Sequence, residues 1–296
     1  MSAVSQGTPL DFVWLDVFTQ TRFSGNPLAV VFLEATELSD ARLQQIAREF
    51  NLSETTFVSA PVDSRHSARV RIFTPYRELP FAGHPTLGTA YAVAERYRLG
   101  DRVVLEEGVG PVAVQRLADG SWELETAQAP TFSPLPLSLS ELAPLLGLQP
   151  EDLGGSALPP AEIVSCGVPY ALIPVRTLAA IQRARFVWPL EHPLLQAHPA
   201  LCELYLVCAE TETLADYHVR LFAPAAGIAE DPATGSAAVV LAASLAKQQP
   251  TGQWRLEQGL EMGRPSQLHI RSQAGRLFVA GHVQSVARGQ VIASDN

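Results

Sequence analysis

Three side chains in this sequence could transfer a proton: Glu54, His84 and Asp231. His84 directly precedes Pro85, where a predicted helix begins. Histidine is a poor N-cap, and the positive end of a helix dipole lowers the pKa of a nearby imidazole. We therefore expect a neutral His84 that can shuttle a proton or hold a substrate oxygen.

Asp231 and Glu54 each have a simpler structural interpretation beside the catalytic one. Asp231 precedes Pro232 at the start of a second predicted helix, and because aspartate is among the best N-caps, the sequence alone favours a capping role. Glu54 lies where a predicted helix gives way to a strand rich in Thr and Phe, so a solvated loop carboxylate is its simpler interpretation. A half-buried position would instead raise the pKa of Glu54 toward that of a useful acid–base group.

The two predicted helix starts are themselves suited to bind a carboxylate. Backbone N–H groups without an intrahelical partner meet the positive end of the helix dipole at each start. Gly88 and Gly235 follow closely and would let a ligand approach the backbone. The sequence therefore predicts a cradle for a small anionic group at each helix start.

Signatures of cofactor and metal sites are absent from the sequence. It has no Walker loop, dinucleotide-binding fingerprint, GxSxG elbow, CxxC or HExxH, and its seven histidines never pair at metal-ligand spacing. We therefore expect neither a cofactor nor a metal. Cys166, Cys202 and Cys208 lie in apolar contexts typical of reduced structural thiols, with a catalytic thiol as the minority alternative.

Two similar halves of the chain must position these residues. Three pairs of short segments share a pattern: 25–30 with 167–172, 71–75 with 220–224, and 85–90 with 232–237. They occur in one order at nearly constant spacing, which indicates internal duplication, the alternative being unrelated turns rich in Gly and Pro. The proline-rich stretch 129–140 predicts domains 1–130 and 131–296, with the C-terminal tail allowed to return to the first domain.

Each half is predicted to wrap a curved sheet around one central helix, an α+β fold. Short segments rich in Val, Ile, Leu and Phe predict the strands, and Ser39 predicts the N-cap of a surface helix over 40–50. The helix that continues from Pro232 is apolar on nearly every face, so it must be buried all round. Its counterpart, from Pro85 to about Leu99, is apolar through Ala94 and becomes charged only near its end.

Composition narrows the class of protein. The 296 residues are 47% hydrophobic and 17% charged, enough apolar material for real cores. A net charge of −9 without a basic cluster argues against nucleic acid and anionic membrane as partners. The start of the chain lacks a signal-peptide pattern, and the longest apolar run, 237–246, is far short of the ~20 residues that span a membrane. We therefore expect a cytoplasmic enzyme.

Four motifs together resemble the PhzF-like phenazine-biosynthesis family. They are SGNP at 24–27, SETTF at 53–57, LPFAGHPT at 79–86 and EDPATGSA at 230–237. The resemblance implies the diaminopimelate-epimerase-like fold, with two pseudo-symmetric domains, each a barrel-like and mostly antiparallel sheet around a central helix. It also implies a homodimer.

The resemblance further implies roles for individual residues. Glu54, in the SETTF motif, is the proton carrier, and His84 and Asp231 assist it. The substrate-binding residues lie at the helix starts: Gly83, Gly235 and Ser236. Related epimerases and racemases carry a thiol at each helix start, and this sequence has none there.

These expectations describe a cofactor-independent isomerase that moves a proton within a small unsaturated carboxylic acid. Its site would lie in an interdomain cleft, with Glu54 as the acid and base. One alternative is an amino-acid racemase or epimerase in which Glu54 and either Asp231 or His84 are the two bases. Another is a non-catalytic protein that binds a small metabolite.

Overall fold

The computed structural model describes residues 7–126, 128–155 and 158–293. Contacts within the chain divide it into two compact units. The first comprises the described residues of Met1–Leu124 together with those of Gly281–Asn296, and the second comprises those of Glu125–Ala280. Strands β1 to β18 and α-helices α1 to α6 are numbered in chain order.

The first unit contains two α-helices and nine strands in the part of it that the structure describes. The helices are Asp40–Phe50 (α1) and Gly83–Tyr97 (α2). The strands are Thr8–Val17 (β1), Asn26–Glu34 (β2), Glu54–Ser59 (β3), Ala68–Phe73 (β4), Glu78–Leu79 (β5), Arg102–Glu107 (β6), Gly110–Arg116 (β7), Trp122–Glu125 (β8, which ends at the unit boundary) and Val283–Ala293 (β18). Ser39 accepts a hydrogen bond from the N–H of Arg42 and caps α1, as predicted.

The second unit contains four α-helices and nine strands among its described residues. The helices are Leu139–Leu142 (α3), Leu178–Arg183 (α4), Pro193–Ala197 (α5) and Gly235–Ala246 (α6). The strands are Thr131–Pro134 (β9), Glu162–Ser165 (β10), Pro169–Pro174 (β11), Leu204–Cys208 (β12), Tyr217–Ala223 (β13), Ile228–Asp231 (β14), Gly252–Gln258 (β15), Ser266–Gln273 (β16) and Arg276–Gly281 (β17). Short 3₁₀ turns occupy Ala143–Leu146, Pro150–Asp152, Pro199–Cys202, Pro224–Ala226 and Leu260–Met262.

The two units repeat one pattern of strand pairing. In the first, β1 pairs antiparallel with β2, β2 parallel with β3, β3 antiparallel with β4, β4 antiparallel with β5 and parallel with β6, and β6 antiparallel with β7. In the second, β10 to β16 repeat these pairings in the same order and with the same directions. The repeated topology is what the internal duplication predicts.

One long helix lies against the sheet in each unit. Helix α2 contacts β1, β2, β3, β6, β7 and β18, so the sheet of the first unit curves around it. Gly88 makes this close approach possible, since a Cβ there would lie 2.5 Å from Leu28 Cδ2 and 2.8 Å from Val17 Cγ2. In the second unit α6 contacts β10, β11, β15 and β16, and nearly all of its residues are buried.

The second central helix begins later than the sequence predicts. Helix α6 starts at Gly235, so Pro232 lies outside it, and its N-cap is Thr234, which makes no side-chain capping bond. The capping role expected for Asp231 is therefore wrong. Asp231 ends β14, and its carboxylate accepts a hydrogen bond from the Thr234 hydroxyl.

A buried charged cluster supports the sheet of the second unit. His218 in β13 is fully buried, with Nδ1 2.8 Å from Glu257 Oε1 and Nε2 3.0 Å from Glu261 Oε1. A neutral imidazole carries one N–H, so both bonds require the charged form. Burial lowers the pKa of His218, but the hydrogen bonds to Glu261 and Glu257 outweigh it and the pKa is raised.

His218→Gln is expected to destabilise the protein by about 3 kcal/mol at pH 6, because it removes the buried cation that Glu257 and Glu261 share, and Glu261 keeps only the more distant Arg220. A raised folded-state pKa means that this stabilisation is fully present below the unfolded value of 6.5 and is lost as pH rises through the folded pKa. Thermal unfolding between pH 5.5 and 9 should therefore show the difference between wild type and variant shrinking with pH. His66→Gln is the control, since its partly exposed imidazole meets a single carboxylate. A difference that does not change with pH would contradict the charged His218.

Candidate active site

Glu54 lies at the start of a strand and is buried. Helix α1 ends at Asn51, which adopts the left-handed conformation, and three residues later Glu54 begins β3 beside Leu28 of β2. Its side chain is 11% exposed, and Oε2 lies 3.3 Å from His84 Nδ1. The interpretation of Glu54 as a solvated loop carboxylate is therefore wrong. The structure places it beside the imidazole that the sequence singles out.

His84 is the second residue of α2 and is buried and neutral. Burial lowers its pKa to about 3, and a hydrogen bond to the backbone of Pro27 acts in the opposite direction. A proline backbone offers only its carbonyl, so the imidazole donates this bond. The neutral form agrees with the expectation from sequence, although burial is the dominant cause where the sequence suggests the helix dipole. Nε2 is buried without a hydrogen-bond partner among the described residues.

The backbone of the first turn of α2 lies beside this pair. Its N-cap is Ala82, which makes no side-chain capping bond, and Gly83 is the first helical residue and is buried. The N–H groups of this turn therefore lie next to His84 without a side-chain cap, at the positive end of the helix. Glu54, Gly83 and His84 thus lie together in the first unit.

In the second unit, a buried glutamine holds the segment that follows β14. Gln258, the last residue of β15, donates through Nε2 to the Asp231 carbonyl at 2.8 Å and accepts the Thr234 N–H through Oε1 at 3.2 Å. The next residue, Gly259, lies so close to Pro232 that a Cβ would be 2.6 Å from its carbonyl oxygen. Gln258 could not be identified from the sequence, because a polar residue at a strand end carries no sign of a partner 27 positions away.

Ser236, the second residue of α6, is oriented by a tyrosine. Its hydroxyl lies 2.7 Å from that of Tyr170 in β11, so either oxygen can donate. Tyr170 belongs to the repeated segment 167–172, whose counterpart 25–30 contains Pro27, the partner of His84. In both units the repeated segment therefore reaches the start of its own central helix. This comparison of the repeats could have identified Tyr170 from the sequence.

Asp231, Gly235 and Ser236 lie together around the start of α6.

The three cysteines lie elsewhere in the second unit, outside the start of α6, and burial raises the pKa of each thiol, to about 11 for Cys166. Within the described residues, no group of three or more His, Cys, Asp and Glu side chains is arranged to hold a metal ion. No helix in the described part of the chain is long and apolar enough to cross a membrane.

Comparison with known proteins places this arrangement in a family. The trans-2,3-dihydro-3-hydroxyanthranilate isomerase of Pseudomonas aeruginosa is 40% identical over 293 residues, which cover 94% of this chain and 98% of that protein. An uncharacterized isomerase of Mesorhizobium japonicum is 41% identical over 299 residues, covering 95% and 98%. The crystal structure of a PhzF-family phenazine biosynthesis protein from Bacillus anthracis matches 97% of this chain and 100% of its own, with a TM-score of 0.85 and 27% identity.

These similarities confirm the predicted α+β fold, and they show that the chain is an isomerase. The family model described as phenazine biosynthesis-like protein matches residues 15–289, a span that includes all four motifs. The chain therefore belongs to the phenazine biosynthesis-like protein family.

Proposed function

We propose that this isomerase moves a proton within a small unsaturated carboxylic acid, without a cofactor, and that Glu54 is its acid and base. The observation that carries the proposal is the buried pair in the first unit, where the Glu54 carboxylate lies 3.3 Å from a neutral imidazole at a helix start. Such a pair suits proton transfer at carbon, because burial keeps water from competing for the proton.

The substrate class rests on the relatives and on the helix start. The relative from Pseudomonas aeruginosa is named for a dihydro-hydroxyanthranilate, a ring acid with double bonds that can move when a proton moves. A carboxylate of this kind would be bound by the first-turn N–H groups at Gly83 and His84. A hydrogen-bond donor that points at developing negative charge commonly stabilises the transition state by about 3 kcal/mol.

The proposed reaction begins when Glu54 takes a proton from an acidic carbon of the substrate. The electrons left behind delocalise toward the substrate carboxylate, where the helix start stabilises them. Glu54 then returns the proton to a different carbon of the same molecule, and the double bond shifts. Neutral His84 would orient the substrate through a ring nitrogen, since a pKa of about 3 prevents it from being a strong acid–base partner at pH 7.

The residues at the start of α6 are proposed to assist in the same reaction. Ser236, oriented by Tyr170, offers a hydroxyl to a substrate oxygen, and Gly235 leaves its backbone open to close approach. Asp231 is proposed to assist proton transfer. Its position is fixed by Thr234 and Gln258, an arrangement that suits a group that must keep one orientation.

The test is NMR spectroscopy in deuterium oxide with trans-2,3-dihydro-3-hydroxyanthranilate and a panel of small unsaturated acids. We expect enzyme-dependent incorporation of deuterium at a carbon that gains a hydrogen, together with a shifted double bond. Exchange with loss of stereochemical purity and no shifted bond would instead indicate a racemase. Tight binding of an acid of the panel without any exchange would contradict catalysis and favour a binding protein.

A further inference from the structure

A second buried acid, Glu107, is hydrogen-bonded to the helix that carries His84. Glu107 ends β6, and its Oε1 lies 2.8 Å from the hydroxyl of Thr86 in the first turn of α2. The same hydroxyl lies 2.7 Å from the carbonyl oxygen of Ala82, the N-cap of α2. Thr86 is fully buried and Glu107 is 8% exposed. Loss of either hydrogen bond would therefore leave a buried polar atom without a partner, which is destabilising.

The geometry requires one more proton than Thr86 has. A hydroxyl carries a single proton, and here it faces two oxygens, of which the Ala82 carbonyl can only accept. Each contact has a proton of its own only if Glu107 is protonated and donates to Thr86, while Thr86 donates to Ala82; otherwise the two acceptors share the single Thr86 proton. If Glu107 is ionised, it accepts the hydrogen bond from the Thr86 hydroxyl, and the Ala82 carbonyl loses its side-chain partner.

The surroundings of Glu107 favour the protonated form. Burial raises its pKa to about 8, and its Oε2 has no hydrogen-bond partner among the described residues. Helix α2 carries no charged residue before Glu95. The carboxyl is therefore mostly neutral at pH 7 and becomes charged only in mildly alkaline solution.

The charged groups that share a cavity of about 610 Å³ with Glu107 are bound to other partners or exposed. Arg71 of β4 binds Glu78 of β5 and Asp40, and Glu106 accepts the N–H groups of Val62 and Asp63 and meets His66. Arg69 of β4 is exposed. Glu107 itself forms no ion pair in the described part of the chain, so it has no cation that would stabilise its ionised form.

We propose that Glu107 is a positioning residue: its protonated carboxyl donates to the Thr86 hydroxyl, which donates to the Ala82 carbonyl, and this relay of two hydrogen bonds fixes the first turn of α2 and with it His84. The role in positioning follows from these contacts, and its effect on turnover rests on the function proposed above. Ionisation of Glu107 would leave the Ala82 carbonyl, two residues before His84, with only the backbone hydrogen bond that it accepts from the Thr86 N–H at 3.2 Å. The site would then lose its geometry above about pH 8.

The test compares wild type with Glu107→Gln, because a glutamine amide donates to Thr86 and does not titrate. In protein labelled with ¹⁵N-histidine, the His84 signal, identified by its loss in His84→Asn, should shift as pH passes about 8 in wild type and stay constant in Glu107→Gln. Thr86→Val provides a second route, because it cuts the relay while leaving Glu107 able to titrate, so its His84 signal should also stay constant. An alkaline shift of equal size in all three proteins would overturn the proposal.

The pH profile of turnover adds a readout that a merely structural role would not move. Wild-type kcat should fall about tenfold for each unit above pH 8, whereas Glu107→Gln should keep its rate at pH 7 within about threefold and lose this alkaline limb. An alkaline limb of the same position in both proteins would count against the relay. The NMR titration needs no substrate, so failure of the proposed reaction and failure of the positioning role are distinguishable.

Discussion

Glu54→Gln is expected to reduce turnover by about 10³-fold, because a glutamine amide cannot accept and return a proton. The two side chains are nearly the same size, so the contact with His84 and the packing at the start of β3 should persist. Substrate binding should change little, and the loss should appear in kcat with KM within a few fold of wild type. Deuterium incorporation measured by NMR over hours detects even a strongly reduced rate.

The matched control is Glu162→Gln in β10. Glu162 is as buried as Glu54, with a side chain that is 10% exposed, and it binds Lys247 Nζ at 2.5 Å and Ser244 Oγ at 2.6 Å. Removing its charge should lower stability and leave turnover of the folded protein near wild type. Glu54 is not the proton carrier if Glu54→Gln retains more than about a tenth of wild-type turnover.

Gly25→Ala is expected to lower the free energy of unfolding by about 3 kcal/mol. Gly25 has a φ of +69°, which L-residues adopt at a cost, and an added Cβ would lie 2.3 Å from the Val17 carbonyl oxygen and 2.7 Å from Thr19 Cγ2. A backbone oxygen cannot move aside as a side chain can, so the turn before β2 must shift. That turn leads to Pro27, whose carbonyl accepts the His84 bond, and turnover should fall as well.

Gly263→Ala separates the two causes of this loss. Gly263 has a φ of +67°, nearly that of Gly25, but nothing lies within 4 Å of the position that its Cβ would occupy. Gly263→Ala should lower the free energy of unfolding by only about 1 kcal/mol, which is the contribution of the backbone conformation alone. Urea denaturation followed by circular dichroism gives both values, and equal losses in the two variants would show that the contact with Val17 does not matter.

The repeat and its architecture could be predicted from the sequence, because short Gly- and Pro-containing segments mark equivalent turns in both units. The residues at which the two central helices begin could not be predicted from the sequence. Pro85 lies in the first turn of its helix and Pro232 lies outside its helix, although the two residues correspond in the repeat. The difference arises because Thr234 and Gln258 hold the segment after Asp231, and these contacts join residues far apart in the chain.

The candidate site, too, could be predicted only in part, because contacts between residues far apart in the chain complete it. Types and spacing indicate that Glu54 and His84 could do acid–base chemistry, but burial depends on strands that the sequence does not place precisely. The supporting residues Gln258, Tyr170 and Glu107 were missed altogether. Tyr170 at least lies in a repeated segment that marks its position, whereas Gln258 and Glu107 are ordinary polar residues in strands, and only their distant partners reveal their roles.

The pairing of β1 with both β2 and β18 has a consequence for biosynthesis. Register between β1 and β18 runs from Thr8 opposite Ala293 to Val17 opposite Val283, so β1 can pair with β18 only after the whole second unit has been synthesised. Until then β1 presents an open edge, the kind of surface that invites mispairing with other chains. Strands β9 to β16 pair with one another within one continuous stretch, from Thr131 to Gln273. These strands can therefore pair while the chain is still being synthesised, whereas the edge of β1 stays open until β18 follows.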